Sequence, residues 1–121
     1  MSECRQVTTT LPDRETAHRL GTRLVEERLA ACAQVVGPVS SVYRWHGEVE
    51  TAAEWYCHLK TTAARAPGLL SRIRELHPYE TPEIVALPVA EADPGYLKWI
   101  EESVADPPAS PPSSPIRTRV P

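Results

Sequence analysis

Thirty consecutive residues at 33–62, "AQVVGPVSSVYRWHGEVETAAEWYCHLKTT", constrain this chain more than any other part of it. Their apolar side chains alternate instead of recurring every three or four positions, which is the period of strands and not of helices. In the second half Val49, Ala53, Trp55, Cys57 and Leu59 alternate with Glu48, Glu50, Glu54, Tyr56, His58 and Lys60. One face of that strand suits a core and the other is mostly polar. His46-Gly47 lies midway and supplies the turn, so the segment reads as one long antiparallel hairpin. Gly37-Pro38 interrupts the outgoing strand, where a bulge or a sheet edge is expected.

The flanking segments carry other signals. Residues 5–10, "RQVTTT", are rich in β-branched side chains and form a first short strand. "LPDRETAHRLGTRLVEERLAACA" follows as a helix with Asp13 at its N-cap, and Ala17, Leu20, Leu24 and Ala31 share one side of it. Gly21 weakens that helix but lets a neighbour approach closely. A second helix fits "ARAPGLLSRIREL", with Leu69, Ile73 and Leu76 at i, i+4 and i+7, and Pro78 closes it. "EIVALPVA" is a last strand, and "DPGYLKWIEESV" a terminal helix capped by Asp93 with Pro94 at its first position.

This order predicts an α+β fold, a ferredoxin-like βαββαβ sandwich with an extra C-terminal helix. Its last strand falls at a sheet edge, where Pro88 is tolerated. Yet Ile84, Val85, Ala86, Leu87 and Val89 are apolar on both faces of that strand. An edge so apolar needs covering, and together with the long hairpin it predicts a homo-oligomer.

With 121 residues the chain is expected to be one domain, residues 1–105, ordered from about residue 3. The stretch 106–121, "DPPASPPSSPIRTRVP", holds six of the thirteen prolines and few large apolar residues, and is expected to be a disordered tail. The net charge of −3 leaves no basic footprint for nucleic acid. No stretch reads as a secretory leader or a membrane span. Cys4, expected before the first strand, Cys32 and Cys57 form no CxxC pair, and an odd number makes a poor disulfide framework. Reduced thiols in a cytoplasmic setting are expected.

Five strings, "LVEERLAACAQVV", "SSVYRWHGEVE", "HLKTT", "HPYETPEIVALPV" and "YLKWIEESV", stand in an order and spacing that resembles the CutA divalent-cation tolerance proteins over about residues 7–104. The resemblance implies a sheet-extended homotrimer, similar in architecture to the PII signalling proteins. It implies no required cofactor and no accepted catalytic activity. It also links the chain to tolerance and binding of copper or another divalent cation, with metal ions and further copies of the chain as its partners.

The candidate residues each carry two readings. Cys32 matches the family's cysteine position, and a thiolate is a soft ligand suited to Cu(I); as a residue type, free cysteine is most often a small buried hydrophobe. "LHPYETPE" at 76–83 offers His77, Glu80 and Glu83 as nitrogen and oxygen donors on a rigid loop. It also works fully as a turn, with His77 closing a helix and two prolines stiffening the connection. His77, Tyr79, Pro82 and Glu83 match the family's motif, so the metal reading rests on Cys32, His77 and Glu83. Lys60 is one of only two lysines, with Lys98, and with Tyr43, Trp45 and Tyr79 it is a candidate lining for an inter-subunit cleft. That cleft is the basis of an alternative, a PII-like sensor of a small anionic ligand. An enzyme built on Cys32 and His77 lacks both an orienting third residue and a nucleophile elbow.

Overall fold

The computed structural model describes residues 3–106. Its elements in chain order are β1 (Cys4–Leu11), α1 (Arg14–Glu26), β2 (Cys32–Trp45), β3 (Glu48–Thr62), α2 (Ala66–Leu76), β4 (Ile84–Val89) and α3 (Pro94–Val104). The four strands form one antiparallel sheet in the order β2-β3-β1-β4, which puts β4 at an edge as expected. Apart from Asp106, the expected tail lies outside the described residues.

The hairpin turns at His46 and Gly47, whose φ values of 49° and 83° are the left-handed pair that a two-residue connection needs. The β2–β3 register shifts between Val36 and Val39, which places a bulge at Gly37-Pro38. There the Trp55 ring lies so close that a Cβ on Gly37 would stand 2.6 Å from its Cδ2. Pairing of β1 with β3 ends at Leu11 opposite Trp55. Beyond that point β2 and β3 run on alone as a two-stranded arm. Val49, expected to face a core, is 62% exposed, because among the described residues no third strand reaches the arm.

Asp13 Oδ1 accepts the Thr16 N–H at 2.7 Å and opens α1. The helix stops at Glu26, sooner than its apolar pattern suggests. Arg28 takes φ 60°, and the Leu29 and Ala30 N–H groups both reach back to the Leu24 carbonyl. Ala31 therefore leaves the helix and packs beneath α3. Cys4 is also corrected: it is the first residue of β1, buried with Ile100 and Val104.

Strand alternation then sorts the side chains. Val7, Leu11, Cys57 and Leu59 join Leu20, Leu24, Leu69 and Ile73 in the core between the sheet and the helices α1 and α2. Each fully buried large side chain, such as Leu59 or Ile73, contributes about 1.5–3 kcal/mol. Gly21 lets α1 press on β2, since a Cβ there would lie 2.7 Å from that of Ala33. On the opposite face α3 covers only the end near Cys4 and Val89. Val36, Val85 and Leu87 stay exposed on the rest of it.

Candidate functional site

Two polar clusters lie at opposite ends of the sheet. The first is built by the loop after α2. His77 Nε2 lies 2.8 Å from the Thr10 carbonyl, and the Tyr79 N–H donates to His77 Nδ1 at 3.1 Å. Nδ1 therefore accepts while Nε2–H donates, which fixes one neutral tautomer. Burial holds the His77 pKa below its ordinary value, against the opposing effects of the Thr10 carbonyl and Glu54. The Tyr79 hydroxyl donates to Glu54 Oε2 at 2.8 Å, and the His77 and Tyr79 rings lie 4.8 Å apart. Burial first, and then that carboxylate, push the Tyr79 pKa up, with a smaller contribution from Tyr43. The loop thus ties the end of β1 to the root of the arm.

The second cluster sits where β2 begins. Cys32 is half-buried, its Sγ 3.7 Å from the Tyr96 hydroxyl, and Tyr96 stacks on Trp99. Lys60 stands opposite Cys32 in the ladder and reaches Gln34 Oε1 at 3.4 Å. One pleat further along, His58 Nδ1 and Thr8 Oγ1 share a 2.9 Å hydrogen bond, with Tyr56 stacked on the imidazole. Burial lowers the His58 pKa, the Lys60 charge adds to that, and Glu83 opposes it. The other two thiols are closed off. Burial pushes Cys57 up to about 12 and raises Cys4.

The three expected metal donors are not gathered within one copy. Lys60, beside Cys32, is opposite Gln6, whereas His77 binds Thr10, four residues further along β1 and about 13 Å away at strand rise. Glu83 is exposed just before β4. Among the described residues no group of three or more His, Cys, Asp or Glu side chains is placed to hold a metal ion. The cleft residues divide likewise. Tyr79 is at the arm root, Tyr43 is further out on the arm opposite Glu50, and Trp45 is packed edge-on to His46 at the arm tip, while Lys60 is at the far end of β3. Sequence reasoning missed Glu54 as the partner of Tyr79 and Tyr96 as the partner of Cys32. Only the register and the packing of α3 reveal them.

A four-stranded antiparallel sheet under two helices, with a half-open opposite face and a projecting arm, defines a small α+β protein whose polar chemistry lies on the sheet surface and not in a deep cavity. The chain belongs to the CutA1 divalent ion tolerance protein family, whose sequence model matches residues 5–103. It is 48% identical over 94 residues to the divalent-cation tolerance protein CutA of Thermus thermophilus, covering 78% of this chain and 91% of that protein. With CutA of Escherichia coli K12 it shares 40% identity over 95 residues, covering 78% and 85% respectively. The crystal structure of CutA1 from Ehrlichia chaffeensis superposes with a TM-score of 0.83 at 31% identity, over 87% of this chain and 98% of that one.

Proposed function

We propose that this protein is a non-enzymatic, trimeric divalent-cation tolerance protein that binds copper, with the Cys32 thiolate as its main donor. The position of Cys32 carries this reading. It is a soft sulfur ligand at the start of an edge strand, only half-buried, whereas Cys4 and Cys57 are both buried. The remaining donors come from neighbouring copies in this reading, since one copy does not gather them. Glu83 is exposed and available to a neighbour. His77 would have to release both the Thr10 carbonyl and the Tyr79 N–H before it could ligate.

The strand order, with two βα-containing halves in one antiparallel sheet, supports the ferredoxin-like description. Support for a sheet-extended, PII-like homotrimer comes from two surfaces. The outer edge of β4 has no strand partner among the described residues and carries the exposed Val85 and Leu87. The arm exposes Val42 and Val49, and a lone two-stranded ribbon is marginal in water unless something braces it. A cyclic assembly joining one copy's edge to the next copy's arm meets both needs.

Native mass spectrometry of the reduced full chain, titrated with Cu(I) against a competing chelator, tests the reading. A trimer that binds a whole number of copper ions and loses them in Cys32→Ser supports it. A trimer without specific uptake contradicts it.

One observation favours a second reading, a sensor of a small anion. Lys60 stands on the open face beside the directly paired Gln34 and His58, three side chains that can donate to an anion. Tyr43 and Trp45 of another copy's arm, with Tyr79 from the loop at its root, would complete that cleft. Equilibrium dialysis with small carboxylates and phosphate esters should then show binding that Lys60→Ala abolishes, with copper uptake unchanged.

A further inference from the structure

The register of the sheet gathers one polar row on its open face. His58 of β3 stands directly opposite Gln34 on β2 and Thr8 on β1, and Lys60 lies two residues further on, about 7 Å along the strand. Among the described residues the ion pairs draw their cations from Arg5, Arg19, Arg23, Arg65 and Arg72, and not from Lys60. Lys60 is therefore a half-buried ammonium whose contact is the uncharged Gln34 amide. Its charge is left to offer to an acceptor.

The neighbours of that charge present donors. Lys60 Nζ takes up Gln34 Oε1, which leaves the Gln34 amide N–H groups free. The Thr8 hydroxyl is buried, and His58 Nδ1, 2.9 Å away, is its partner among the described residues. The hydroxyl proton needs that acceptor, so Thr8 Oγ1 donates to Nδ1 and the neutral ring keeps its own proton on Nε2.

The surroundings of His58 hold it neutral. Tyr56 stacks on the ring with centroids 5.2 Å apart. Burial and then the Lys60 charge disfavour the imidazolium, while Glu83, from the loop before β4, favours it through its charge alone. Gln34 and Thr8, set opposite His58 by β2 and β1, are uncharged. An anion seated between Lys60 and His58 reverses the balance, because it offsets the ammonium and attracts a second positive charge. Protonation then needs only a turn of the Thr8 hydroxyl, with Nδ1–H donating to Oγ1 and Nε2–H to the anion.

We propose that Lys60 and His58 bind a small oxyanion together with a proton, so that uptake strengthens as pH falls and dianions are preferred. This rests on the second reading above, a sensor of small anions, and names its ligand class and its regulation. Neutral His58 leaves one positive charge in the row and protonated His58 leaves two, so a dianion gains more from the proton than a monoanion does. Anion and proton strengthen each other's binding by the same factor.

Calorimetric titration of the full chain with inorganic sulfate tests this between about pH 8 and pH 5, the range in which histidine changes charge and sulfate does not. Affinity should rise as pH falls, by up to about tenfold per pH unit, the limit for one linked proton. The heat should also vary with the ionisation enthalpy of the buffer, as it must when a proton is taken up. His58→Asn, which keeps an acceptor for the Thr8 hydroxyl, should lose both the slope and the buffer dependence, and Lys60→Ala should lose binding. Equal affinity across the range, or a slope that persists in His58→Asn, would overturn the proposal and leave the anion reading standing. Absence of sulfate binding at every pH would also overturn it, and dialysis with carboxylates and phosphate esters then decides the anion reading separately.

Discussion

The two ends of the sheet use polar side chains in opposite ways. At the His77 end, both ring nitrogens, the Tyr79 N–H and the Tyr79 hydroxyl all have partners inside the same copy. At the Cys32 end, the thiol has a single long contact with Tyr96 and Lys60 a single one with Gln34. A cluster that satisfies itself holds the fold together, and one that is half-satisfied has capacity left for a ligand. The histidine-bearing loop looks richer in ligands when read as a sequence, but the plainer cysteine end has the better access.

The largest effect expected from this contrast is on stability. His77→Ala orphans the Thr10 carbonyl and the Tyr79 N–H and should cost about 3 kcal/mol in urea unfolding, against about 1 kcal/mol or less for Cys32→Ser. Similar losses in the two variants would break the contrast. Tyr79→Phe removes only the bond to Glu54 and should cost about 1 kcal/mol, with faster amide exchange in the arm as its signature. If the arm exchanges no faster, the loop does not brace it.

Acid should sharpen the comparison further. The folded His77 holds its pKa below the ordinary value of about 6.5, so as pH falls the unfolded chain takes up the proton first. Its contribution is complete above that value and is lost as pH drops through the folded pKa. His58 acts in the same direction. Denaturation curves collected across that window should show a shallower loss in His77→Ala than in the natural chain, and parallel curves would show that His77 is not the titrating group. The smallest effect concerns Thr9, whose buried hydroxyl has no hydrogen-bond partner among the described residues. Thr9→Val should leave stability unchanged or raise it by up to about 1 kcal/mol in the same assay; a clear loss would reveal a partner for that hydroxyl.

Much of the fold was legible because alternation, caps and prolines act locally. Asp13, Asp93, His46-Gly47 and Gly37-Pro38 each do what their residue types suggest. The end of α1 was not legible, because Arg28 takes the left-handed turn that glycine usually supplies. Nor was the exposure of Val49. Alternation says which way a side chain points and nothing about how far the rest of the sheet extends.

The candidate site was harder to read for the same reason. Whether "LHPYETPE" is a turn or a ligand set depends on Thr10, 67 residues earlier, and on Glu54, which lies on a different strand. Those partners are fixed by register, which a linear string does not display. The adjacency of Cys32, Lys60 and Tyr96 likewise joins three separate elements.

The most direct measurement is X-ray absorption at the copper edge of the full chain loaded with one equivalent of Cu(I) per chain. A nearest shell dominated by sulfur, lost in Cys32→Ser and kept in a His77 variant shown to be folded, is the predicted result. A shell of imidazole nitrogen alone would place the metal at the His77 end and contradict the account.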